Sequence, residues 1–130
     1  MSQENVKVVR RAINHLNETG EPEWSLYASD LVWTTRADGP ATNTYRGLDG
    51  LRRGSASLRE VWREVKAEIL EQVEAGDAII SVLRWSLRAR SGVELEVEEA
   101  WVTWCRDGKI ARIEQHGTKA EALEAVGRPE

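Results

Sequence analysis

Three turn signals divide the second half of the chain into strand-length pieces, and they constrain the fold more than any other feature. Ala75-Gly76-Asp77, Ser91-Gly92 and Asp107-Gly108 are short breaks that suit tight hairpins. Between them, residues 66–74, 78–89, 93–105 and 110–116 are rich in β-branched, aliphatic and tryptophan side chains. Residues 93–105 alternate clearly, Val93, Leu95 and Val97 opposing Glu94, Glu96 and Glu98. Connections this short join only antiparallel neighbours, because a parallel crossover needs a dozen or more residues. Four consecutive antiparallel strands are therefore expected.

The first half reads as helical. Val6, Val9, Ile13 and Leu16 recur at helical spacing, with Ser2 as a possible cap and Gly20 and Pro22 as the stop. Residues 23–29 suggest a short helix or turn, and Leu31, Val32 and Trp33 a strand. Asp38, Gly39, Pro40, Asn43, Gly47 and Gly50 make 36–50 a loop or irregular hairpin. A third helix is expected over 51–65, capped by Asp49, with Leu51, Leu58, Val61, Trp62 and Val65 on its buried side. Thr118 is positioned to cap a terminal helix over 119–126. Helices ahead of a meander imply one α+β domain over 1–130, its curved antiparallel sheet carrying the helices on a concave face.

Composition narrows the function. Acids outnumber bases 22 to 18, so nonspecific nucleic-acid binding and charge-driven membrane binding are not expected. One cysteine excludes an internal disulfide framework, and two histidines exclude an all-histidine catalytic zinc site within one chain. No apolar run reaches membrane-span length, and the start MSQENVKVV lacks a secretory pattern, so a cytoplasmic location is expected. No nucleotide loop, zinc-protease motif or nucleophile elbow occurs, and neither cofactor nor metal is expected. The aromatic set is skewed to six Trp and two Tyr with no Phe, which suits either plain packing or the wall of a cavity for an apolar or aromatic small molecule.

The segments MSQENVKVVRRA, GEPEWSLYASDLVW, TYRGLDGLRR, EAGD, CRDGKIARIE and KAEALEAVG resemble the NTF2-like superfamily, specifically its SnoaL-like, ketosteroid-isomerase-like group. The resemblance spans nearly the whole chain. It implies an α+β cone, often dimeric through its sheet, in a superfamily of isomerases, epoxide hydrolases, polyketide cyclases, dehydratases and noncatalytic binding proteins. Fold alone does not grant one of these activities. The isomerase base, an aspartate, matches Thr35 here; the oxyanion-hole tyrosine matches Ala12; the protonated acid matches Ala100, with Glu99 adjacent. Thr118 stands where many SnoaL-like chains carry an aspartate after the last strand.

Candidate chemistry is taken from the residues themselves. Arg112, Glu114 and His116 share one face of the last strand by alternation. His116 is the first acid–base candidate, with Glu114 to orient it and Arg112 to hold an anion; the alternative is a polar ladder on an edge or dimer face. Asp38 is the second, in a loop that is also an ordinary turn. His15, Arg36, Tyr45 and Glu99 complete the polar shortlist, and Cys105 reads as a small structural residue. Trp33, Tyr45, Trp62, Trp101 and Arg112 are the expected substrate-binding residues. Trp101 and Trp104 must face opposite sides of the sheet, so one lines the interior and the other the outer side. Three functions follow: a cofactor-independent isomerase, cyclase, dehydratase or hydrolase; a noncatalytic ligand-binding or accessory protein; or a structural partner acting through its sheet. A homodimer through the outer sheet face is expected, since both faces of 93–105 are apolar over part of their length.

Overall fold

The computed structural model describes residues 2–36 and 43–127. Its elements are α1 (Ser2–Thr19), a single 3₁₀ turn at Trp24–Leu26, β1 (Tyr27–Thr34), β2 (Thr44–Arg46), α2 (Gly47–Val61), β3 (Trp62–Ala75), β4 (Ala78–Ala89), β5 (Glu94–Arg106), β6 (Lys109–His116) and α3 (Lys119–Gly127). The strands make one six-stranded sheet in the order β2-β1-β6-β5-β4-β3.

The three turn signals act as the sequence requires. β3 with β4, β4 with β5 and β5 with β6 all pair antiparallel. Asp107 and Gly108 both take positive φ, +54° and +76°, the mirror-image turn whose twist matches its flanking strands. The expected cone is corrected. β1 runs parallel to β6, pairing Val32 with Arg112, Trp33 with Ile113 and Thr34 with Glu114, so the sheet is mixed and not antiparallel throughout. It is also open, with β2 and β3 at its two edges, and not a closed or strongly curved cone. Turn chemistry reports only neighbours along the chain; the β1–β6 pairing joins segments about eighty residues apart, and nothing local encodes it.

The second helix is also shifted. It starts at Gly47, whose φ of +71° suits glycine, and it stops at Val61. Asp49 therefore lies inside the first turn and does not cap it. Arg46 is the N-cap residue and makes no side-chain cap bond, while Asp49 pairs with Arg52 and Arg53. Trp62 and Val65 belong to β3. At the other end of the chain, Thr118 does cap α3: its hydroxyl accepts from Glu121 N–H at 3.1 Å and donates to the Glu121 carboxylate at 3.3 Å.

Alternation sorts the core onto the two sides of the sheet. One side carries Leu31, Trp33 and Ile113 under α1 and α2, with Ala67, Leu83 and Trp85 beside them facing Ile13 and Leu16. The alternate residues, Ala78, Ile80, Ala100 and Val102, pack on Ala122 of α3. Two side-chain ties fix α1 on the sheet. Gln72 accepts from Arg10 at 2.8 Å and donates to buried Ser81 at 3.1 Å. Asn17 pairs both backbone groups of Ala67 at 2.8 Å, mimicking a further strand along the edge of β3.

Gly54 sets the spacing of α2 over β1. A Cβ there would lie 2.4 Å from Trp33 Cζ3 and 3.1 Å from Tyr45 Cδ2. Gly54→Ala gains about 1 kcal/mol of helix propensity and loses about 1–3 kcal/mol to overpacking. The expected outcome is a net loss of stability by chemical denaturation; a stabilised variant would show that Trp33 yields freely.

Candidate functional site

A cavity of about 560 Å³ lies between α2, the end of α1 and the sheet. Its position follows from alternation. Leu95, Val97, Glu99 and Trp101 are every second residue of β5, Ile113 and Gln115 of β6, and Trp85 and Leu87 of β4, and all of these line it. α2 closes it with Leu51, Gly54, Ser55 and Leu58, and β1 and β2 contribute Tyr27, Trp33 and Tyr45. Aromatic rings pack along the wall: Trp85 and Trp101 lie 5.3 Å apart, Trp33 and Tyr45 5.1 Å, each pair tilted by about 40°.

One polar chain crosses this apolar lining. Trp33 Nε1 donates to Gln115 Oε1 at 2.8 Å, which turns the Gln115 amide nitrogen toward Glu99 Oε1 at 3.4 Å. Trp101 Nε1 donates to the same Glu99 oxygen at 3.0 Å. Arg36 Nη1 stands 3.7 Å from Glu99 Oε2. The Glu99 side chain is 12% exposed, so the carboxylate is largely removed from bulk water and depends on these groups for compensation. Tyr27 is half-buried at the wall; desolvation foremost, and then the nearby Glu23 charge, push its hydroxyl up to about 12. It therefore stays a neutral phenol at neutral pH. Trp85 Nε1 is buried without a hydrogen-bond partner among the described residues.

The expected site residues fall into three groups. Trp33, Tyr45, Trp62 and Trp101 line the cavity together, as does Arg36. His116, Glu114 and Arg112 do share a face, but it is the other one: they pair with Ala100, Val102 and Trp104 on the side that carries α3. There His116 Nε2 lies 3.1 Å from Glu114 Oε1, Glu114 pairs with Arg112, and Arg112 stacks 4.7 Å over Trp104. Asp38 lies outside the described residues. His15 sits on α1, 3.8 Å from Glu23. Burial raises the Cys105 thiol, which suits a packing role better than a reactive one. Gln115 carries no acid–base signal in the sequence. Its place follows from pairing, since a tryptophan at 101 facing inward puts its cross-strand partner, Gln115, on the same side.

Residues 9–113 match the family model described as the SnoaL-like domain. The chain belongs to the SnoaL-like family. No curated protein matches this SnoaL-like chain. Several solved structures share its fold. An NTF2-like protein of unknown function from Burkholderia pseudomallei is 19% identical, with a TM-score of 0.76 over 96% of this chain and 98% of that one. TerC, co-crystallised with polyporic acid, is 17% identical with a TM-score of 0.76 over 96% and 99%. A protein of ketosteroid-isomerase-like fold from Catenulispora acidiphila, in complex with trimethylamine, is 18% identical with a TM-score of 0.73 over 94% and 93%. At these identities the likeness speaks for the fold alone.

Among the described residues no group of His, Cys, Asp and Glu is arranged to hold a metal ion, and no helix is long and apolar enough to cross a membrane.

Proposed function

We propose that this SnoaL-like chain binds a mainly apolar, ring-bearing small molecule between α2 and the sheet, with the polar end of the ligand at Glu99. The observation that carries the reading is one carboxylate, held by two indole- and amide-borne donors, in a cavity whose remaining wall is chiefly aliphatic and aromatic. Its volume falls within the roughly 300–1,000 Å³ common to small-molecule sites. Apolar walls supply affinity through buried area, and the polar chain orients the ligand. TerC with polyporic acid and the Catenulispora protein with trimethylamine support the reading as relatives in fold that hold small molecules.

A cofactor-independent isomerase, cyclase, dehydratase or hydrolase is the second reading. Glu99 favours it, because a carboxylate in a cavity that sheds water on ligand entry can exchange a proton with substrate. Asp38 would be its second acid–base group, two positions beyond cavity-lining Arg36. His116, on the other side of the sheet, is not part of it. Binding leads because Glu99 Oε1 already accepts two hydrogen bonds, which suits a fixed acceptor.

Calorimetric titration with neutral two-ring aromatic compounds tests the binding reading. Binding is expected for the natural sequence, with a loss of about tenfold or more in Val97→Arg, which places a charge in the apolar wall. Absence of binding by every such compound would contradict it. Turnover of enones, epoxides or polyketide-like ketones that disappears in Glu99→Gln would move the assignment to the enzyme.

The proposed assembly is a homodimer through the sheet side that bears Trp104 and Arg112, which α3 covers only in part. Sedimentation equilibrium should give about twice 14.7 kDa; a mass fixed at the monomer value would contradict the dimer.

A further inference from the structure

We infer that Arg36 and Glu99 together bind, from the cavity side, a neutral hydroxyl borne on the ligand's ring, and that this pair selects hydroxylated compounds over ketones, ethers, carboxylates and amines. The inference rests on the binding reading and specifies which ligands the cavity takes.

The two oxygens of Glu99 differ in their surroundings. Oε1 accepts from Trp101 Nε1 at 3.0 Å and from Gln115 Nε2 at 3.4 Å. Oε2 faces Arg36 Nη1 at 3.7 Å, close enough for a charge pair and too long for a hydrogen bond. Oε2 of this cavity-lining residue accepts no hydrogen bond from the described residues, so a ligand that displaces water from it must supply a donor or leave it unsatisfied.

The chemistry of the donor follows by comparing what each group meets. A ligand carboxylate approaching Arg36 also approaches Glu99 and is repelled by it. An ammonium approaching Glu99 meets the guanidinium. A ketone or ether oxygen can accept from Arg36 but presents only lone pairs to Oε2. Of these groups only a hydroxyl satisfies both: its O–H donates to Glu99 Oε2 while its oxygen accepts from Arg36, with no net charge added. Trp33 and Trp101, which hold the polar chain in place, also flank the ring that carries this hydroxyl. The orientation of the chain is fixed before the ligand arrives, so little ordering remains to be done on binding.

Calorimetry on the full chain with four probes of one ring system tests this: 2-naphthol, 2-methoxynaphthalene, 2-naphthoate and 2-naphthylmethylammonium. At neutral pH the naphthol should bind tightest, about tenfold better than its methyl ether. Glu99→Leu should bring the naphthol-to-ether affinity ratio, read within that one variant, from about tenfold down to about one. Arg36→Met leaves the carboxylate without its guanidinium and should make the ammonium the tightest of the four, a change of preference that loss of folding cannot produce. An ether equal to the naphthol, or a carboxylate or ammonium preferred by the natural sequence, would overturn the hydroxyl assignment and leave the cavity reading standing. Failure of all four probes to bind would overturn both.

Discussion

The Trp33 indole is the fixed point on which the rest of the site depends. It is held on one side by Gly54 of α2, on another by the tilted ring of Tyr45, and at its nitrogen by Gln115. These three contacts join β1, β2 and α2, which follow one another along the chain, to β6, where Gln115 lies 82 residues from Trp33. β1 reaches β6 only through the parallel pairing, in which Trp33 lies opposite Ile113. Without that pairing the indole and Gln115 would not meet, and the Gln115 amide would have no reason to present nitrogen to Glu99. The polar chain of the cavity is thus a consequence of the strand order, and the strand order is stabilised where the indole packs.

The sheet separates two polar systems that look equivalent along the sequence. Glu99 and Gln115 face α2 and the cavity. Glu114 and His116, one residue removed from Gln115, face away, toward the side where Ala122 of α3 covers Ala100 and Val102. A period of two makes such neighbours strangers. The Arg112–Glu114–His116 group, with Arg112 over Trp104, is then a polar cover on the partly apolar outer side. The cavity uses residues that are individually unremarkable in sequence and gain meaning from their common face.

Legibility in the sequence followed the range of the interactions. The three hairpins were readable because Gly76, Gly92 and Gly108 adopt the positive φ that their turns require, a purely local demand. The Thr118 cap was readable for the same reason, since donor and acceptor lie three residues apart. The parallel β1–β6 pairing was not, and with it went the expected cone. The end of α2 is not legible in the sequence, because Trp62 and Val65 fit a helical stripe as well as a strand; contact with β4, where Val65 pairs with Leu87, decides between them. At the site, Trp33, Tyr45, Trp62 and Trp101 were identifiable as large amphipathic rings. Glu99 stands out as a carboxylate on a strand, whereas Gln115 does not, because an amide has no chemistry that stands out until its cross-strand partner is known.

The hydrogen exchange of the Trp33 indole N–H tests this account most directly. The resonance can be assigned by its loss in Trp33→Phe and followed by NMR in the unliganded protein. If Gln115 holds the indole as described, that proton exchanges far more slowly than the indole N–H of the exposed Trp24, with protection that Gln115→Leu removes. A Trp33 indole exchanging as fast as that of Trp24 would contradict the claim that it anchors the polar chain of the cavity.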